Sequence, residues 1–472
     1  MNTLMNTLNE NPLMDTDSYK ACHWLTYPTD CRHSFLYLES RGGLYDKTVF
    51  FGLQAILKAY FSSPITHQFV NEAEELFAWH GVPFNCQGFH EIVDKYEGRL
   101  PLRIRAVREG MTVPTHHVLM TVENTDPEFF WLPAYFETML MRLWYMTTVC
   151  TVSWDIKQVL RGALRQSSDF AEEQLPFKLH DFGSRGVSSR ESAALGGMGH
   201  LINFKGTDTV IALKAAKLFY NANKPGFSIP ATEHSSIIVW GENHEVDAYR
   251  NFLSKFAKPG AVIACVSDSY DIYNAISNLW GGELKEQIIQ SGATLVIRPD
   301  SGNPQEVVLN CLKRAEDAFG VTYNNKGYKV LNYVRLIQGD GVNPTSIREI
   351  VESMLKEKYS IDNIAFGMGG ALLQKVDRDT QKFAMKMSAV DRHGIWMDVC
   401  KHPATDPGKL SKKGRLTLLR HRDSGEFKTA HPTEAGVDGW VDVMHTVWEN
   451  GYLISELTFD QIRDRSDTPF SF

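Results

Sequence analysis

From residue 178 to residue 370 the chain repeats one local pattern seven times, and this repetition limits its fold more than any other feature. Each unit is a short apolar strand ending in a polar loop with Gly or Asp. The units are KLHDFG (178–183), LINFKGTD (201–208), FSIPATEHS (227–235), VIACVSDSYD (262–271), TLVIRPDSG (294–302), VRLIQGDG (334–341) and IAFGMGG (364–370). Helical stretches lie between them. Strands alternating with helices at this spacing imply parallel βα units. The expected fold is α/β: an irregular (β/α) barrel, with an open doubly wound sheet as the alternative.

The flanks read differently. Residues 34–39, 102–107 and 118–122 are strand-like, residues 48–61 look helical, and Asp126-Pro127 is a helix start. Phe129 to Met146 is strongly apolar but contains Pro133, Glu137 and Arg142, so it reads as a buried helix rather than a membrane span. Residues 152–164 continue with a helical apolar face. After residue 380 strands are expected at 383–390, 415–422, 426–430 and 453–457, with DRHG, DSGE and ENG as turns. The expected division is 1–150, 151–380 and 381–472. The first and last parts would together build a second, discontinuous α+β domain.

A net charge of −7 argues against general binding to nucleic acid or an anionic membrane. The N-terminus has no basic stretch followed by an apolar core, so no signal peptide is expected. The duplicated MNTL there is too short to be an architectural repeat. Seven cysteines without a C-x-x-C pair suit reduced thiols and a cytoplasmic protein.

In a parallel barrel the chemistry gathers at the C-terminal ends of the strands. Those ends carry Asp181, Arg185, Asp208, Glu233, His234, Asp268, Arg298, Asp300, Asp340 and the glycines 367–370. A histidine beside a carboxylate can be base, nucleophile or phosphate carrier, or a plain loop histidine. Gly367 to Gly370 can bring backbone N–H groups to a phosphate if a helix opens at Ala371. Arg185, Arg298 and Arg378 can pair with phosphate. Asp300 and Asp340 can hold ribose hydroxyls or Mg²⁺. Phe182 can stack on a flat heterocycle or simply fill the core. Asp208 is either a pocket carboxylate that accepts from an amide NH₂ or a structural one. The pair His116-His117 lacks partners at zinc-ligand spacing and reads as structural. Neither a P-loop nor a Rossmann glycine fingerprint is present.

Together the motifs resemble the nicotinamide phosphoribosyltransferases of the type II phosphoribosyltransferase family. They are DTDSYK (15–20), TVENTDPE (121–128), LHDFGSRGVSS (179–189), NFKGTDTV (203–210), EHS (233–235), VSDSYDIYNA (266–275), IRPDSGNP (297–304), IQGDGV (337–342), AFGMGGALLQK (365–375), SKKGR (411–415) and HTV (445–447). The resemblance implies a head-to-tail homodimer with its sites at the subunit interface. It also implies a reaction of nicotinamide with phosphoribosyl pyrophosphate, giving nicotinamide mononucleotide and pyrophosphate in NAD salvage. His234 would be transiently phosphorylated by ATP. Phe182 and Tyr19 of the partner subunit would sandwich the pyridine ring, Asp208 would accept the carboxamide NH₂, and Arg298 would lie near ring and ribose. Asp300 and Asp340 would hold ribose hydroxyls, directly or through Mg²⁺ and water, and Gly369 and Gly370 would meet the 5′-phosphate. Arg41, Arg378, Lys386 and Lys401 would line the pyrophosphate and ATP phosphate path. Glu233 and Asp268 would orient His234. Ser184 stands where vertebrate relatives carry an aromatic residue, and GMGGA where they have GSGGG. The rival readings are the sister enzyme acting on nicotinic acid and a non-catalytic binding protein on the same fold.

Overall fold

The computed structural model describes residues 11–405 and 410–468. The MNTL duplication lies outside them. Two compact units emerge. One holds the described residues up to Thr151, Leu218–Ala222 and those from Asp377 onward; the other holds Val152–Lys217 and Asn223–Val376.

The second unit is the expected barrel. Its strands in chain order are β1 (Leu179–Asp181), β2 (Gly206–Thr207), β3 (Val262–Val266), β4 (Thr294–Arg298), β5 (Val334–Gln338) and β6 (Ile364–Met368). They form one parallel sheet in the order β2-β1-β6-β5-β4-β3. The extended segment 227–232 closes the ring with isolated parallel bridges, Phe227 to Gly206 on one side and Ala231 to Ala264 on the other. All seven strand-like units thus take part, and the open doubly wound alternative is set aside. Inside, Ala264, Val296 and Ile337 pack with Phe182, Ile229 and Ala365. Side chains from several strands fill the barrel, so its chemistry is confined to the rim.

The loops after β4 and β5 are short for a local reason. Each follows Asp-x-x-Asn-Pro: Asp300 to Pro304, and Asp340 to Pro344. Asn303 caps the helix Pro304–Phe319 and Asn343 caps Pro344–Lys356, each accepting two backbone N–H groups with Pro at the helix start. Gly302 and Gly341 take positive φ (84° and 66°) to make the turns. The two carboxylates are therefore set three residues before a helix cap, at the rim.

The first unit is built on a seven-stranded antiparallel sheet. Its strand order is Ile395–Asp398, Phe383–Arg392, Cys31–Ser40, Val118–Asn124, Leu102–Val107, Met444–Glu449 and Tyr452–Leu453. Cys31–Ser40 pairs with Phe383–Arg392 over almost its whole length, which joins the two ends of the chain into one discontinuous α+β unit. The turns after 392, 424 and 449 are made by His393-Gly394, Gly425 and Asn450-Gly451, all at positive φ.

Three expectations change in detail. The helix expected over 48–61 begins only at Leu53, after the strand Lys47–Val49, and widens to a π-helix over Leu57–Phe61. The apolar stretch 129–146 is broken into Leu132–Tyr135, Glu137–Met141 and the start of Leu143–Ser167. Pro133 can sit only in a first turn, and Phe136 leaves helical geometry (ψ 6°) between the first two pieces. The strand expected at 453–457 is reduced to Tyr452–Leu453. Among the described residues no helix is long and apolar enough to cross a membrane. None of the seven cysteines is in a disulfide.

Candidate active site

At the barrel rim one chain of polar contacts runs through the predicted residues. His234 is the first residue of the short helix His234–Ile238, which follows the ring-closing segment. Its Nε2 lies 2.9 Å from Asp268 Oδ1. Asp268 also accepts from the Asp300 N–H (3.0 Å) and the Ser301 hydroxyl (2.7 Å) through Oδ2. With Asp268 as a carboxylate, both of its oxygens accept, which assigns the Nε2 position as the donor of this pair. The other ring nitrogen, Nδ1, faces Asp300 Oδ2 at 3.9 Å. The His234 side chain is 43% exposed and that of Asp268 4%, an exposed ring on a buried support.

Asp268 is braced from behind. Ser267 donates to the Cys265 carbonyl and accepts from Trp280 Nε1 at 3.0 Å. Trp280 lies in the π-helix Ala275–Glu283 and stacks on Tyr249 at 4.2 Å. Neither Ser267 nor Trp280 was foreseen; the sequence offers only their place beside the DSYD loop.

Arg298 reaches the same centre. Its Nη2 and Nε donate to Asp300 at 2.7 and 3.2 Å, and its guanidinium carbon lies 5.5 Å from the centroid of the Phe182 ring. Both contacts depend on glycines. A Cβ on Gly367 would fall 2.0 Å from the Phe182 ring, and one on Gly339 would fall 2.8 Å from Asp300 Oδ1. Asp208 is exposed and accepts from the Ser228 hydroxyl at 2.7 Å. Its N–H donates to the Asp181 carbonyl at 2.9 Å. Asp181 is fully buried and holds the turn after β1 through the Gly183 N–H (2.7 Å). Burial raises its pKa to about 6, with the Gly183 N–H opposing the rise and the neighbouring Asp208 charge adding to it. Gly369 and Gly370 lead into the helix Gly370–Leu373, as expected. Arg185 and Asp340 are exposed on their loops.

One placement differs from expectation. Glu233 does not orient His234: its carboxylate accepts from the Ser235 hydroxyl instead. The backbone at Glu233 is extended and His234 already belongs to the helix; among the described residues the ring's hydrogen bond goes to Asp268.

The first unit carries its own cleft, of about 960 Å³. Tyr19, Arg41, Arg378, Lys386 and Lys401 all line it, together with Lys382 and His116, which were not foreseen. His117 instead bonds Thr429. Tyr19 is 56% exposed. Burial lowers the pKa of Lys386; Glu137 opposes this, and Arg41, Lys20 and Lys401 lower it further. Such a cluster of cations suits a polyanion.

Comparison with known proteins agrees with this arrangement. Residues 177–451 match the nicotinate phosphoribosyltransferase family, and residues 11–104 match the nicotinamide phosphoribosyltransferase N-terminal domain. A nicotinamide phosphoribosyltransferase of Xanthomonas campestris is 58% identical, over 97% of this chain and 98% of that protein. One from Acinetobacter baylyi is 31% identical over 96% and 97%. The crystal structure of a nicotinate-nucleotide pyrophosphorylase from Pyrococcus furiosus shares the fold (TM-score 0.63, 15% identity, 98% of this chain and 97% of that one). On these matches the chain belongs to the nicotinamide phosphoribosyltransferases, within the type II phosphoribosyltransferase family.

Proposed function

We propose that this protein joins nicotinamide to phosphoribosyl pyrophosphate, releasing pyrophosphate, and that ATP phosphorylates His234 to drive the reaction. The observation that carries the reading is a half-exposed His234 whose Nε2 is bonded to Asp268, while Nδ1 has Asp300 Oδ2 only at 3.9 Å, beyond hydrogen-bond distance. In the neutral ring Nδ1 holds the lone pair, so it is the nitrogen that attacks the γ-phosphorus of ATP. The N–P bond forms as the bond to ADP breaks, and Asp268 stabilises the charge that grows on the ring.

The remaining residues serve the transfer itself. Phe182, with Tyr19 of the partner subunit, holds the pyridine ring, and Asp208 accepts from the carboxamide NH₂. Breaking the C1′–pyrophosphate bond builds positive charge on the ribose and negative charge on the leaving group. Arg41, Arg378, Lys386 and Lys401 of the partner subunit receive the latter in the homodimer. Much of the acceleration comes from holding the ring nitrogen against C1′. Hard carboxylate oxygens suit Mg²⁺. Asp340 is exposed and able to bind it directly, whereas Asp300 is committed to Arg298 and would reach it through water. When bound, Mg²⁺ would neutralise the pyrophosphate charge.

The test is product formation from phosphoribosyl pyrophosphate with nicotinamide or nicotinic acid, each with and without ATP. Nicotinamide mononucleotide formed from nicotinamide alone, and more of it with ATP, is the expected result. A preference for nicotinic acid would overturn the reading of Asp208. Indifference to ATP would overturn that of His234.

A further inference from the structure

Glu39 has no part in the roles assigned above. It lies near the end of the strand Cys31–Ser40, two residues before Arg41, and its side chain is 2% exposed. Two cations share its carboxylate. Arg41 Nε donates to Oε1 at 2.8 Å, and Lys412 Nζ pairs with Oε2. The Tyr37 hydroxyl, 3.5 Å from Oε1, accepts the Lys412 N–H at 2.8 Å. Next to it, Ser411 and Lys401 exchange hydrogen bonds, Lys401 N–H to Ser411 Oγ at 2.7 Å and Ser411 N–H to the Lys401 carbonyl at 3.0 Å. One buried carboxylate thus ties Arg41 to the segment that carries Lys401.

The arginine is left incomplete. Among the described residues its buried Nη2 has no acceptor in hydrogen-bond geometry, the Tyr37 hydroxyl being its polar neighbour, while other parts of the residue line the cationic cleft. A buried donor without an acceptor is costly, and a guanidinium is built to meet an anion with several N–H groups at once. We infer that Glu39 is a positioning residue: it fixes Arg41 through Nε, so that the guanidinium is held at the wall of the cleft for a phosphate oxygen. The inference rests on the reading that Arg41 meets the phosphates of phosphoribosyl pyrophosphate.

Charge and geometry predict opposite results here. If Glu39 acted only as a negative charge near the cleft, removing it would tighten anion binding. If it positions Arg41, removing it loosens the grip. The experiment is calorimetric titration of inorganic pyrophosphate, with Mg²⁺, into the full-length protein and its Glu39→Gln, Glu39→Asp, Arg41→Ala and Glu39→Gln/Arg41→Ala variants. Glu39→Gln is expected to weaken binding roughly tenfold, about the worth of one hydrogen bond to a charged group. The KM for phosphoribosyl pyrophosphate should rise in parallel. The double variant should lose no more than Arg41→Ala alone. Glu39→Asp keeps the buried charge and shortens its reach by one methylene; it should weaken binding too, and it carries the test if the Gln variant fails to fold. Unchanged or tighter binding in the Glu39 variants, with Arg41→Ala weakened, overturns the inference alone, as do losses that multiply in the double variant. Unchanged binding in Arg41→Ala overturns the inference together with the assignment of Arg41 to the phosphate path.

Discussion

A ligand carboxylate brought to the rim beside Ser228 would meet Asp208, an exposed carboxylate whose Oδ1 already accepts from the Ser228 hydroxyl. Two like charges at contact distance repel strongly in a partly dry pocket, whereas an amide NH₂ donates to the same oxygen. Asp208→Ser should therefore lower the preference for nicotinamide over nicotinic acid by roughly tenfold or more, read as a ratio of kcat/KM values. Unchanged selectivity would remove Asp208 from the pocket. Asp268→Asn tests the ring. An amide in place of the carboxylate can donate to Nε2, so the proton moves to Nδ1 and blocks the attacking nitrogen. ATP-dependent stimulation is expected to fall by roughly a hundredfold or more with the fold intact, measured as ³²P incorporation and thermal unfolding. At this scale the candidates were legible, because a strand-end position in a parallel barrel announces Asp208, His234, Asp268 and Asp300 without any knowledge of distances, and the structure links the last three by hydrogen bonds. The direction of a side chain was not legible. Glu233 and Asp268 are both acidic neighbours of His234 in the motif sense, and only the helix start at His234 turns one of them away.

The elements that carry these residues are shaped by what is small. β6 passes directly behind Phe182, and a methyl group on Gly367 would overlap its ring at 2.0 Å. Gly367→Ala should push the ring out of place, raising the KM for nicotinamide and costing about 1–3 kcal/mol of stability, as overpacking does. An unaltered KM would mean that the ring has no part in binding. The glycine run was read as a candidate phosphate-binding turn; in the structure its first member lies against the aromatic ring, a contact between strands that no local pattern records. The strand ends themselves were read well, since each apolar run stops where the rim begins. The π-helices at Leu57–Phe61 and Ala275–Glu283 were not read, because one extra residue per turn leaves almost the same spacing of apolar positions. The Asp-x-x-Asn-Pro pair was visible in the letters all along. Its meaning, a carboxylate held three residues ahead of a capped helix, needed the cap geometry.

At the scale of the whole molecule, residues up to Thr151 and from Asp377 onward fold together because Cys31–Ser40 and Phe383–Arg392 are sheet neighbours. The change of pattern after residue 380 announced this partnership. The return of Leu218–Ala222 to the same unit had no such signal; it is secured by Tyr220, which stacks on Phe51 and donates to the buried Glu109 at 2.8 Å. The cations of the cleft and the histidine of the rim therefore belong to different units of one chain. In the proposed homodimer the cleft of one subunit serves the rim of its partner, and a mixing experiment decides it. Arg41→Ala/Arg378→Ala disables only the cleft, and His234→Ala disables only the rim. If each site draws on both subunits, co-expression gives mixed dimers with one site free of both changes. Random assembly makes half the dimers mixed, and half of their sites are whole, so roughly a quarter of the unmodified ATP-stimulated activity should return although each parent is inactive. If each site is built within one chain, every site in every dimer carries a lesion and nothing returns. Recovery in the co-expressed sample but not in a fresh mixture of the two parent dimers would show that the exchange of subunits, rather than leftover parental activity, restores the site.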